Sequence, residues 1–117
     1  MKLPSYFCDP ARLRVFPAGA VIFAAGDPGT EMFVVREGQV DIVIDGAAVE
    51  TVGPDQFFGE LALIDDLSRS AAAVARTDCQ LLPLNQREFT FLVDEQPFFA
   101  IRVMKVLADR LRHKDTD

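Results

Sequence analysis

From Leu13 onward the chain runs in short apolar bursts, each closed by a glycine: RVFPAG, VIFAAGDPG, MFVVREG, VDIVIDG and VETVG. The glycines fall at positions 19, 26, 29, 38, 46 and 53. Short strands at such spacing, with turn residues between them, predict an antiparallel sandwich or barrel. Val40, Ile42 and Ile44 alternate with Asp41, Val43 and Asp45, so one face of that strand is expected to be buried. Asp45-Gly46 is a hairpin signal, and Asp27-Pro28-Gly29 is a second turn. Ala72 to Ala75 and Cys79 to Leu84 read as returning strands around a bend at Arg76-Thr77-Asp78. Residues 1–11 form an irregular or short helical lead-in, because Pro4 and Pro10 limit any long helix.

After residue 85 the period changes. Asn85 followed by Glu88 resembles an N-terminal capping box and starts a helix over Gln86 to Glu95. Pro97 suits the first turn of a second helix running to about His113. On it Ala100, Met104, Leu107 and Leu111 make one stripe, adjoined by Phe99, Val103 and Val106, an amphipathic pattern. The tail HKDTD is polar and expected to fray. The fold class is mainly β with flanking helices: one domain over 1–117, with the β part at 12–85 and two C-terminal helices at 86–113.

Length supports that single domain, and half of the 117 residues are hydrophobic, enough for a core. No apolar run approaches the roughly 18 residues that span a bilayer, so no membrane insertion is expected. The start, MKLPSYFCDP, lacks the apolar centre of a signal peptide. Net charge is −6, from 18 acidic and 12 basic residues, which argues against nucleic acid as the main partner. An anionic ligand must then be captured by local groups, not by the overall field. Cys8 and Cys79 form no metal-ligand pattern, and without a secretory signal they read as free thiols of a cytoplasmic protein. Within its strand Cys79 acts as a small buried hydrophobe. The one histidine, His113, cannot build a histidine zinc site, a histidine-based triad or the metal cluster of a cupin-type enzyme. Neither G-x-S-x-G nor G-K-[ST] occurs, so no enzyme is expected.

The chemistry gathers in FFGELALIDDLSRSA, residues 57–71. Gly59 can turn sharply and approach a ligand closely. Glu60 to Ile64 suit a single helical turn, whose first N–H groups have no partner inside the helix and face an anion. An acidic turn follows at Asp65-Asp66. Arg69 then supplies a planar fork of donors that suits phosphate oxygens, and Ser70 adds a hydroxyl. Ionised Glu60 only accepts hydrogen bonds, so it suits a sugar hydroxyl and repels a phosphate. A structural Glu60–Arg69 ion pair is the plainer reading of the same residues.

The run FGELALIDDLSRSA resembles the phosphate-binding cassette of cyclic nucleotide-binding domains, as in the bacterial catabolite activator family, regulatory subunits of cyclic-AMP-dependent protein kinase and some ion channels. The family pattern is F-G-E-[LM]-[AG]-L, a turn, then R-[ST]-A. Asp66, Leu67 and Ser68 stand where many members have Gly or Pro before the arginine.

The resemblance implies an antiparallel β-roll (a double-stranded β-helix, jelly-roll-like) followed by two helices. It also implies that Phe58 opens the cassette, that Gly59, Leu61 and Ala62 offer N–H groups, and that Glu60 takes the ribose 2′-hydroxyl. Arg69 would neutralise the cyclic phosphate, and Ser70 and Ala71 would complete its cradle. Ile42, Val49 and Val52 would touch base and sugar, or serve as ordinary core.

Leu107, Arg110 and Leu111 of the last helix are the expected lid, and Phe89, Leu92 and Phe98 the hinge packing. The ligand implied is cyclic AMP, with cyclic GMP open, and no cofactor. The other readings are a protein-interaction module that has lost nucleotide binding, and a binder of another ligand such as a cyclic dinucleotide. The sequence ends with that helix, so the expectation is a stand-alone sensor without a DNA-binding domain. It would act on an unknown effector or as a homodimer seamed by the helix stripe; in a longer protein, the effector lies beyond it.

Overall fold

Asp45 and Gly46 both take positive φ, 50° and 79°, the backbone of a tight two-residue hairpin turn. They join strand β4 (Val40–Ile44) to β5 (Ala47–Val52) in antiparallel register. The computed structural model describes residues 3, 5–64 and 68–115. Pro4, the acidic turn at Asp65 and Asp66, Leu67 and the final Thr116 and Asp117 lie outside the described residues.

The remaining strands are β1 (Arg14–Phe16), β2 (Val21–Phe23), β3 (Glu31–Glu37), β6 (Phe57–Phe58), β7 (Ala72–Ala75) and β8 (Cys79–Asn85). They form two antiparallel four-stranded sheets, ordered β1-β8-β3-β6 and β2-β7-β4-β5. The lead-in is two 3-10 turns, Ser5–Cys8 and Pro10–Arg12. One helical turn, α1 (Leu61–Ile64), interrupts the roll, and α2 (Gln86–Glu95) and α3 (Pro97–Asp115) follow it. This is the β-roll with C-terminal helices that the sequence implied. The chain divides into two compact units, Met1–Asn85 and Gln86–Asp117.

Inside the roll, Phe33, Val35, Val40, Val52, Phe58, Ala73, Ala75, Cys79 and Leu81 make one buried cluster. Inward positions of the two sheets meet there, so the alternation along each strand becomes a core. Burial fades along β4: Val40 is buried, Ile42 half-buried, and Ile44 exposed, against the expectation of one buried face. Ile44 adjoins the hairpin turn and is the last paired residue of β4. Pro83 sits in β8 beyond Leu81, the last residue paired to β1, so its missing N–H costs no bond to that neighbour. Burial pushes the Cys79 thiol up, and its Sγ donates to the carbonyls of Gln39 and Thr77 at 3.1 and 3.2 Å.

The helical unit departs from the expected stripe. Among the described side chains of α3, Phe99 and Val103 are the buried ones, while Met104 and Leu111 are exposed and Ala100 and Leu107 half-buried. Phe89 packs on Phe99, with ring centroids 5.6 Å apart. Phe98, expected as hinge packing, is 81% exposed; successive helical positions lie about 100° apart, and Phe99 takes the inward one. The helix runs through Asp115, past the expected end at His113.

Candidate functional site

The site is built around the backbone of Arg69. Its N–H donates to the Asp27 carbonyl, and its own carbonyl accepts from Gly26 N–H, both at 2.8 Å. The loop that pins it is itself locked, because Asp27 Oδ2 accepts from Ala24 N–H at 2.9 Å. The sequence marked Asp27-Pro28-Gly29 only as a turn; here it is the mount of the cation.

The guanidinium turns inward and lies over Phe23, with Cζ 4.1 Å from the ring centroid, close enough for a cation–π contact. Phe23, Phe33 and Phe58 form an aromatic floor with centroids 5.4 to 6.3 Å apart. Nη1 donates to the Gly59 carbonyl at 2.9 Å and Nη2 to the Glu31 carbonyl at 2.6 Å. Nε is buried and has no acceptor. A guanidinium carries five N–H donors, so two carbonyls leave the Nε edge of the fork unused. Burial pulls the Arg69 pKa below its ordinary value, and Glu31, Glu60 and Asp27 push it back up.

Gly29 explains how the guanidinium fits. A Cβ there would stand 2.5 Å from Arg69 Nε, 2.6 Å from Cζ and 3.0 Å from the Ala62 methyl. Gly29→Ala is therefore expected to displace the guanidinium and leave the strands intact. Its unfolding free energy should stay within about 1 kcal/mol of the parent, as the far end of a flexible side chain gives way. Affinity for an anionic ligand should fall about tenfold, measured by titration calorimetry. An unchanged affinity would mean that Arg69 does not need this seat.

Gly59 takes φ +79° and Glu60 follows it with 2% exposure, the one buried charged side chain among the described residues. Leu63 N–H donates to the Glu60 carbonyl at 3.1 Å, and Ala62 N–H to the Gly59 carbonyl at 3.4 Å. The Ala62 N–H, expected to face a ligand, is thus partly engaged within the turn. Leu61 is exposed, Ala62 buried, Ser70 exposed and Ala71 half-buried before β7. Phe58 is buried in the aromatic floor.

The wall residues divide. Strand register puts Phe23, Ala73 and Ile42 in one row, with Ile42 half-buried against the core. Val52 pairs with Val40 inside the core cluster. Val49 falls where the register shifts between Ile42 and Val43, and the extra residue turns it outward to 58% exposure. The structure thus gathers Phe58, Gly59, Glu60, Ala62 and Arg69, and adds Phe23, Gly29 and the Glu31 carbonyl, which sequence reading did not name. Among the described residues no cluster of His, Cys, Asp and Glu could hold a metal. No described helix is long and apolar enough to cross a membrane.

An unpaired guanidinium edge thus lies above an aromatic floor, with the buried Glu60 in the same segment. Residues 13–96 match the family model of the cyclic nucleotide-binding domain. The chain belongs to the cyclic nucleotide-binding domain family. The cyclic AMP receptor protein of Thermus thermophilus is 35% identical over 118 residues, 97% of this chain and 53% of its own. The crystal structure of the Thermus thermophilus catabolite activator protein superposes with a TM-score of 0.79 at 35% identity, over 89% of this chain and 51% of that one. A structure from work on a cyclic-GMP-dependent signalling pathway of bacterial phytopathogenesis gives 0.76 at 34%, over 93% and 90%. The chain spans about half the length, or less, of the curated relatives it matches.

Proposed function

We propose that the roll binds a cyclic nucleoside monophosphate, cyclic AMP in preference to cyclic GMP, and acts as a regulatory sensor, not an enzyme. The observation that carries this reading is the part-buried Arg69 guanidinium, whose buried Nε has no partner. A phosphate oxygen there, with another on the free hydrogen of an adjacent Nη, would give the two-point contact that a guanidinium favours. Gly59, Leu61, Ser70 and Ala71 supply further donors around the ring, and Glu60 accepts from the ribose 2′-hydroxyl. Phe58, Ala62 and Ile42 complete the proposed lining, whereas Val52 belongs to the core and Val49 faces outward. The preference for adenine is supported by the name of the cyclic AMP receptor protein among its relatives.

Regulation follows from differential affinity: ligand moves the C-terminal helices only if it binds two arrangements unequally. The effector is a protein partner or a second copy of this chain, in the cytoplasm.

A thermal-shift screen tests the reading. Cyclic AMP should raise the melting temperature in proportion to occupancy, above cyclic GMP, linear monophosphates and cyclic dinucleotides. No shift with any cyclic mononucleotide would favour the interaction module, a reading that the two carbonyls already holding Nη1 and Nη2 also suit. The Glu60 role has its own test. 2′-Deoxy cyclic AMP should bind about tenfold or more weakly than cyclic AMP, the usual loss of a bond to a charged group. In Glu60→Ala that gap should close. Both ligands meet one protein, so a general loss of stability does not mimic the result.

A further inference from the structure

Arg14, at the start of β1, holds Glu31 at two points: Nη1 to Oε1 and Nη2 to Oε2, both at 3.0 Å. β8 lies between β1 and β3, so this contact reaches past a whole strand. The guanidinium lies over the Phe33 ring on the way, 5.9 Å from its centroid. Phe33 belongs to the aromatic floor of the Arg69 site. Glu31 meanwhile offers its main-chain carbonyl to Arg69 Nη2. Among the carboxylates that favour charged Arg69, Glu31 acts most strongly, ahead of Glu60 and Asp27. The carboxylate whose charge acts most strongly on Arg69 is thus held by a different cation.

We infer that Arg14 is a positioning residue: its fork on Glu31 keeps that carboxylate from closing on Arg69, so that the Nε edge of Arg69 is left unpaired by the protein. This rests on reading Arg69 as the anion-binding cation. A tethered carboxylate competes with a dissolved ligand at high effective concentration. The fork removes that competitor by engaging both of its oxygens, which a point-charge ammonium cannot do equally well. The Arg14 and Glu31 side chains are 50% and 26% exposed, so the pair adds little to stability by itself. Its effect is on the availability of Arg69.

The test is a pair of variants, Arg14→Gln and Arg14→Gln/Glu31→Gln, titrated with cyclic AMP by calorimetry. An exposed ion pair is worth up to about 1 kcal/mol, and Arg69 is partly buried, so Arg14→Gln should lose about five- to tenfold in affinity. The double variant should recover most of that loss, because the competing charge is gone. A purely structural pair predicts no recovery, and a double variant no better than Arg14→Gln overturns the inference, as does unchanged affinity in Arg14→Gln. A second readout needs no ligand. The Arg69 Nε–H resonance, assigned by its disappearance in Arg69→Leu, should move in Arg14→Gln and return in the double variant. If the parent binds no cyclic nucleotide, the proposed function falls while this resonance still decides the role of Arg14; an unmoved resonance overturns it.

Discussion

Arg69→Leu is expected to weaken cyclic AMP binding by about 1.5–3 kcal/mol or more, roughly ten- to 150-fold in Kd. The size follows from the site's own inventory. Net charge is −6, so the protein as a whole does not attract an anion. The Arg69 guanidinium, seated over Phe23 and backed by Gly29, does so locally. Leucine keeps apolar contact with Phe23 but leaves the buried phosphate without a counter-charge, which is costly in a poorly hydrated site. Arg69→Lys restores the charge without the fork and should recover only part of the loss. The variants also lose the bonds to the Gly59 and Glu31 carbonyls. Melting curves taken beside the calorimetry separate a weakened site from a weakened fold. Equal affinities for parent and Arg69→Leu would remove the basis of the sensor reading.

The largest stability effect is expected at Gly38. It leaves β3 with φ +92°, and a Cβ there would collide with the Asp78 carbonyl oxygen and stand 2.9 Å from Cys79 Sγ. That corner has little room to relax. Gln39 N–H donates to Thr77 Oγ1 at 3.0 Å, and Arg76 N–H to the Gln39 carbonyl at 2.9 Å. Gly38→Ala should therefore cost about 2–4 kcal/mol, combining left-handed strain with overpacking against backbone. For a chain of this size the melting temperature should fall by roughly 10–15 °C. Gly46→Ala is the control. It has a similar φ of +79° with nothing within 4 Å, so it should lose only the conformational cost, about 1–2 kcal/mol. If both variants melt together in calorimetric scans, the collision at Gly38 is not what makes that corner rigid.

Local chemistry explains what could be read from the chain. Asp45-Gly46 is a hairpin in any setting that allows two positive φ angles, and the residue types of the cassette carry a pattern across fourteen positions. β6 was not legible, because a two-residue strand has no period to detect. The interleaved sheet orders depend on pairings such as Glu31 with Asn85, far apart in sequence. The seat of Arg69 was hidden for a related reason. Two of its partners are main-chain carbonyls, which every residue possesses, and a third is the empty space at Gly29. The resemblance implied a wall role for Val49, but one extra residue in β5 shifts its register.

A co-crystal with cyclic AMP measures the central claim most directly, through the position of the Arg69 guanidinium. The expected result is Nε at about 2.7–2.9 Å from an exocyclic oxygen of the cyclic phosphate, the distance of a charge-assisted bond, with Glu60 on the ribose 2′-hydroxyl. A nucleotide seated elsewhere, with Nε still lacking an acceptor, would contradict it.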